Sequence, residues 1–166
     1  MKAKIIYGSD TGNTEVIADD LVKLLNKSEV LTVDELEKRD WEDNELYILG
    51  IPTWYDGELQ SDWEDYLDNF QEVDFTGKTV AVFGLGDQVG YAEWFCDGVG
   101  ILADIIEKNG GKIIGNWSTD GYEFESSKAV MNTNNTFYGL CLDEDNQPEL
   151  TQERLKKWVK QLKQEY

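Results

Sequence analysis

Ala3-Lys4-Ile5-Ile6-Tyr7-Gly8 runs straight into Ser9-Asp10-Thr11-Gly12-Asn13-Thr14, and the next apolar residues fall at Val16, Ile17, Leu21, Leu24 and Leu25. A short apolar run, a turn of small polar residues and then a helical period read as strand, loop and helix. The reading is a buried strand over residues 3–8 and a helix over 14–25. The alternation repeats downstream. A weaker strand is expected over 29–33 and a third over 45–51, ended by Pro52. A helix over 62–70 puts Trp63, Tyr66, Leu67 and Phe70 on one face. A fourth strand covers 79–85, and a helix over 93–109 is closed by Gly110-Gly111. A fifth strand begins over 112–117, is interrupted by the polar stretch 118–136 and resumes over 137–142. The last helix, 151–163, carries the stripe Leu155, Trp158, Val159 and Leu162. Strands alternating with helices imply βαβ units, hence an α/β fold with one doubly wound parallel sheet and helices on both faces.

The chain has 166 residues and 19.0 kDa, enough for one domain over 1–166 with a single core. With 40% apolar and 30% charged residues it has the composition of a globular protein rather than a disordered one. No apolar run approaches the ~20 residues of a membrane span, and the first residues lack a signal-peptide core, so a cytoplasmic location is expected, or a stromal one if a transit sequence has been removed. The charge is lopsided, at −19. Between residues 34 and 74 there are 15 acids and only Lys38 and Arg39 as bases. Such a surface disfavours nucleic acid and anionic membranes, and its natural complement is a basic protein partner. There is no histidine, which excludes His-based acid–base catalysis and His-ligated metals. Two cysteines, Cys96 and Cys141, are too few for a four-thiolate iron–sulfur cluster, and their expected role is buried packing. No metal site is expected, and difficult chemistry would fall to an organic cofactor.

In an open parallel sheet, ligands bind beyond the carboxyl ends of the strands. Three unusual segments leave those ends. Ser9-Asp10-Thr11-Gly12-Asn13-Thr14 offers backbone N–H groups and a helix N-terminus, a cradle for phosphate. It lacks the Gly-Lys-Ser/Thr ending of a Walker loop and any cation of its own, so neutral dipoles would hold the anion. A simple N-cap is the alternative. Pro52-Thr53-Trp54-Tyr55-Asp56-Gly57-Glu58-Leu59 puts an indole in a turn beside that cradle, either to cover something flat or to pack on the domain edge. Gly84-Leu85-Gly86-Asp87-Gln88-Val89-Gly90-Tyr91 permits close backbone approach and adds a second flat face. Together they suggest a planar ring clamped between aromatic side chains, with a phosphorylated tail reaching the cradle.

The combination SDTGNTE, PTWYDGELQSDW, GLGDQVGYAE, WSTDGYEFESSKA and LDEDNQ, spread over residues 4–164, resembles the flavodoxins, FMN-binding electron carriers. It looks like their long-chain, cyanobacterial-type group, whose insertion matches the interruption after Trp117. The resemblance implies a five-stranded sheet in the order 2-1-3-4-5. It also implies that Ser9, Asp10, Thr11, Gly12, Asn13 and Thr14 bind the FMN phosphate. Thr53, Trp54, Tyr55, Asp56 and Gly57 would line one side of the isoalloxazine, with Trp54 over one face. Tyr91 would stack on the other face, while Leu85, Gly86 and Asp87 offer backbone groups to the pyrimidine edge. Asp145 would lie near the ribityl chain or else in a surface turn. Three departures stand out: Ser9 where Thr is common, Trp94 where Asn is frequent, and a longer segment over 131–136.

The function so implied is a low-potential one-electron carrier, not an enzyme, shuttling between semiquinone and hydroquinone and replacing or paralleling ferredoxin. A carbonyl at Asp56-Gly57 would turn to accept the flavin N5–H, a bond contributing about 0.5–1.5 kcal/mol. The acids Asp56, Glu58, Asp62, Glu64 and Asp65 would repel the reduced flavin and steer basic docking sites on ferredoxin–NADP reductase, photosystem I and ferredoxin-dependent reductases. The implied carrier is a monomer without nucleic-acid or membrane partners. The basic stretch Arg154, Lys156, Lys157, Lys160 and Lys163 reads as a solvated face. An NAD(P)H-dependent FMN reductase, akin to quinone reductases on the same fold, is the alternative, though no basic pocket for its nucleotide is visible. A receiver module is disfavoured because Pro52-Thr53-Trp54 and Leu142-Asp143 stand where its acceptor Asp and its Lys belong. An FMN-binding regulatory domain would carry a flavin that no physiological reductase reduces.

Overall fold

Strands that read as unbroken apolar runs do so because both of their faces are covered. In the computed structural model, which describes residues 1–26, 28–42, 46–132 and 135–166, β1 (Ala3–Tyr7) sends Ile5 to one face and Ile6 to the other. Ile48 and Leu49 divide in the same way in β3 (Leu46–Trp54), as do Ala81 and Val82 in β5 (Thr79–Leu85). Between these strands stand α1 (Asn13–Leu25), β2 (Glu29–Thr32), β4 (Glu58–Leu59) and α2 (Ser61–Gln71). After β5 come α3 (Asp97–Lys108), β6 (Lys112–Ile114), β7 (Trp117–Ser118), β8 (Thr136–Phe137), β9 (Leu140–Leu142) and α4 (Thr151–Glu165). Short 3₁₀ turns occupy Val33–Glu35, Lys38–Trp41 and Pro148–Leu150.

The sheet runs β2-β1-β3-β5-β6, with all neighbours parallel. The α1 and α4 stripes, including Leu21, Leu155 and Trp158, cover the Ile5 face. Trp63 and Phe70 of α2, with Val99, Leu102 and Ile106 of α3, cover the Ile6 face. The edge beside β5 is made in two pieces. β6 pairs with Thr79, Val80 and Ala81, and β9 pairs farther along with Phe83, Gly84 and Leu85. Between them the chain leaves the sheet, and β7 pairs with β8 in a separate antiparallel ribbon. Gly115 turns the chain out with φ +81°, and Gly139 brings it back so close that a Cβ would lie 1.9 Å from the Val82 carbonyl oxygen. Trp117 and Phe137, expected in the fifth strand, thus pair with each other in the ribbon.

Two other expectations are corrected. Pro52 does not end the third strand, which continues to Trp54. The last β1 pair is Tyr7 with Gly50, and the Gly50 carbonyl accepts from Gly8 N; Pro52 falls just beyond, where it cannot donate the next bond on the β1 side, while β3 goes on pairing with β5 and β4. The third helix starts at Asp97 rather than at Glu93, because Cys96 is left-handed (φ +54°) and the preceding segment closes turns such as Trp94 N–H to the Tyr91 carbonyl. The expected start of the third strand at Glu45, and Thr133 and Asn134 of the segment 131–136, lie outside the described residues. Among the described residues no helix is long and apolar enough to cross a membrane.

Candidate functional site

The loops after β1, β3, β5 and β9 meet beyond the carboxyl end of the sheet around a cavity of about 240 Å³. The first loop ends in Gly12, whose φ of +91° directs the chain into α1 and leaves the helix without a side-chain cap. The amides of the first turn therefore have no partner in the helix and none from a capping side chain. The N-cap alternative fails here: Ser9 Oγ accepts from Gly12 N at 3.0 Å, one residue short of the helix. Ser9, Asp10, Thr11, Asn13 and Thr14 line the cavity, and Gly12 shapes the turn without reaching the wall.

The Asp10 carboxylate, beside the start of α1, is held by hydrogen bonds. Its Oδ1 accepts from Gln60 Nε2 at 3.0 Å and from Ser61 Oγ at 3.2 Å, which draws it toward the start of α2. Gln60 is fully buried, and its Oε1 accepts from Trp63 N at 3.3 Å. This packing is possible because residue 8 is glycine: a Cβ there would lie 1.9 Å from Gln60 Oε1.

The second wall is the end of β3. Pro52, Thr53, Trp54 and Tyr55 line the cavity, whereas Asp56 and Gly57 form the tip of the three-residue turn into β4, off the wall. Tyr55 (φ +41°) and Gly57 (φ +86°) are both left-handed. Thr53 Oγ1 accepts from Gly98 N at 2.9 Å, so this side chain caps α3. Trp54 Nε1 is buried with no hydrogen-bond partner, an orphan donor at the site. Ring contact runs from Trp54 to Tyr55 at 6.2 Å, and from Tyr55 edge-on to Tyr91 at 6.0 Å. Tyr55 and Tyr91 are 57% and 36% exposed, which leaves an aromatic rim open to solvent. Trp94 is half-buried beneath the turn, its Cδ1 3.2 Å from where a Gly57 Cβ would stand, so it supports the tip and does not line the cavity.

The third wall comprises Leu85, Gly86, Asp87 and Tyr91. Gly86 N donates to the Leu142 carbonyl at 3.0 Å, and a Cβ on Gly86 would press on Cys96 N at 2.9 Å. Burial pushes the Asp87 carboxyl up, but hydrogen bonds from Gly90 N, Asn146 Nδ2 and Val89 N outweigh it and hold it below the usual carboxylate range. Asp145 also lines the cavity, and its carboxyl is raised by burial first and then by Asp87 and Asp143. Sequence reasoning did not single out Pro52 or Glu144, although both stand inside quoted motifs. Glu144 lines the cavity with an oxygen bound by Thr151 Oγ1, and adjacency to Asp145 was its one signal.

The wall carries Asp10, Asp87, Glu144 and Asp145 and neither Lys nor Arg. Outside it, Asp56, Glu58, Glu64 and Asp65 are exposed on the turn and the first half of α2, where acids also suit the helix dipole. Cys96 and Cys141 are both buried and free. Among the described residues no cluster of metal-ligating side chains is present.

A chain with this site matches the family model described as Flavodoxin over residues 5–158. It is 53% identical over 164 residues to Flavodoxin 1 of Escherichia coli, covering 97% of this chain and 92% of that protein. Flavodoxin of Haemophilus influenzae is 52% identical over 161 residues, 95% of this chain and 91% of the relative. Among solved structures, the Fusobacterium nucleatum flavodoxin bound to flavin mononucleotide superposes with a TM-score of 0.93 at 37% identity, covering 99% of this chain and 98% of that one. Fold, site architecture and sequence thus agree, and the chain belongs to the flavodoxin family, whose members transfer electrons and are not enzymes.

Proposed function

We propose that this protein binds FMN non-covalently in the cavity described above and carries single electrons at low potential. One observation carries the reading: the uncapped first turn of α1 opens into the same cavity that Trp54, Tyr55 and Tyr91 wall. The donor set suits FMN. Free amides and hydroxyls of Ser9, Thr11, Asn13 and Thr14 offer neutral dipoles to a phosphate, and the orphaned Trp54 Nε1 is a donor awaiting an acceptor. Bound FMN supplies one-electron chemistry. The protein's part is to exclude water with the aromatic rim, to present the Gly86 and Asp87 backbone to the ring edge, and to surround the ring with negative charge. Two unit charges 4 Å apart interact by about 4 kcal/mol at an effective dielectric of 20, so nearby carboxylates oppose a further negative charge on the ring. That opposition supports a strongly reducing final couple.

The finer parts of the proposal follow from the same features. Gly57 lets the turn at Asp56 rearrange toward the ring, and Asp145 bounds the chain that joins ring and phosphate. The excursion 115–139 supports the long-chain type; its cyanobacterial flavour rests on motifs alone. The acidic rim supports docking to basic sites on ferredoxin–NADP reductase, photosystem I or ferredoxin-dependent reductases, with the carrier replacing or paralleling ferredoxin as a cytoplasmic monomer. No cation on the wall invites a nicotinamide dinucleotide, which argues against the reductase alternative. The test is stepwise reduction of the FMN-loaded protein with absorption recorded throughout. Two resolved one-electron steps are expected; a single two-electron step, or protein that takes up no FMN, refutes the proposal.

A further inference from the structure

Asp143, the residue after β9, is fully buried, and among the described residues no Lys or Arg lies within ion-pair distance of it. N–H groups alone hold it. Its Oδ2 accepts from Gln88 N at 3.1 Å, Gln88 Nε2 at 2.8 Å and Asn146 Nδ2 at 2.9 Å. Its Oδ1 accepts from Asp145 N at 3.1 Å, Asn146 N at 2.9 Å and Asn146 Nδ2 at 3.1 Å. A carboxyl surrounded only by donors is an acceptor at both oxygens, which is the ionised form. A buried anion is tolerated when its lone pairs are filled in this way.

The donors belong to segments that build the site. Gln88 directly follows the Leu85-Gly86-Asp87 wall, and its Oε1 accepts from Glu123 N at 2.6 Å, in the excursion between β6 and β9. Asn146 Nδ2 also reaches Asp87 Oδ1 at 2.8 Å, and Asp145 is itself on the wall. One carboxylate therefore ties together the third wall, the loop after β9 and, through Gln88, the excursion.

We infer that Asp143 is a positioning residue for the flavin site, and that its buried charge behind the wall helps set the potential of the bound flavin. The inference rests on the FMN reading above. The two effects separate by variant. Asp143→Asn removes the charge and turns an amide NH₂ toward groups that are themselves donors. Gln88→Met keeps the charge and the bond from the backbone N–H of residue 88, but cuts the side-chain links to Asp143 and Glu123.

The experiment measures, on the full chain, FMN affinity by fluorescence quenching, the two midpoint potentials by redox titration, and thermal unfolding without FMN. Asp143→Asn is expected to raise the FMN Kd at least tenfold. It is also expected to favour uptake of the last electron about tenfold, which for one electron is about 59 mV. Gln88→Met is expected to raise Kd at least threefold and leave that potential unshifted. A parent protein that takes up no FMN overturns the flavin reading and this inference with it. A parent that binds FMN while both variants bind equally well, or potentials that move equally in both variants, overturns the inference alone. Should Asp143→Asn not fold, Gln88→Met and Asn146→Ala carry the test: an unchanged Kd in both overturns the positioning role.

Discussion

Gly57→Ala isolates what the turn beside the cavity owes to a missing side chain. Gly57 sits at φ +86°, where a Cβ costs roughly 1–2 kcal/mol. The Cβ would also stand 2.9 Å from Asp97 Oδ2, closer than real Cβ contacts allow, and a tight 3.2 Å from Trp94 Cδ1. Asp97 cannot yield freely, since it is buried and its Oδ1 accepts from Lys128 N at 2.8 Å. Relieving such a contact adds about 1–3 kcal/mol, or else the turn moves and carries Trp54 and Tyr55 with it. Gly77→Ala is the control: φ is +76°, yet nothing lies within 4 Å of the added Cβ. The control should lose only the conformational part. At roughly 2–4 °C per kcal/mol for a chain of this size, that is a fall in Tm of about 2–8 °C. Gly57→Ala should lose more than the control in Tm, or weaken FMN at least fivefold, whereas Gly77→Ala should leave FMN affinity alone. Gly57→Asn, which tolerates the left-handed region, should lie between Gly57→Ala and the parent in Tm. The readouts are calorimetry of the FMN-free protein and flavin fluorescence titration. If Gly57→Ala matches Gly77→Ala in both, the contact with Asp97 has no bearing on the site.

Three further outcomes follow from the charges. Asp10→Asn should tighten FMN about threefold to tenfold at low ionic strength, the gain shrinking as salt screens the remaining acids; tighter binding only at high salt would contradict it. Burial raises the Asp97 carboxyl, more than the Lys128 N–H lowers it. The folded state then binds that proton more tightly than the unfolded chain, so its stability is complete below the unfolded value near 4 and is lost as pH rises through the folded value. Asp97→Asn should therefore match or exceed the parent in Tm at neutral pH, with the difference vanishing below about pH 4; a lower Tm at pH 7 would refute the sign. The Tyr122 phenol is raised by burial and donates to the Cys141 carbonyl at 2.6 Å. Its contribution is intact below the unfolded tyrosine value near 10 and is lost above it, so Tyr122→Phe should be less stable at neutral pH and should show a shallower alkaline loss; equal slopes would exclude it.

The cradle and the two aromatic loops were legible because each motif is contiguous and sits at a strand end, where local pattern and sheet topology agree. The same holds for α2 and α4, whose stripes Trp63 with Phe70 and Trp158 with Leu162 are helical in spacing and buried in fact. Other features hid because their partners are distant in sequence. The start of α3 depends on a Thr53 hydroxyl capping Gly98 from 45 residues away. Glu144 reads as one more surface acid until the loop after β9 folds against the third wall.

From the sequence alone came the doubly wound parallel sheet, the cradle after the first strand and the aromatic pair beyond it, because apolar periodicity and turn chemistry act over a few residues. Only tertiary packing decided that β6 and β9 share one sheet edge, that Pro52 lies inside a strand, that Asp10 is drawn toward α2 by Gln60, and that Asp143 is a buried hub. Those outcomes turn on which groups satisfy one another's hydrogen bonds across 33 or more residues, or on where a neighbouring strand ends, and no local pattern encodes either.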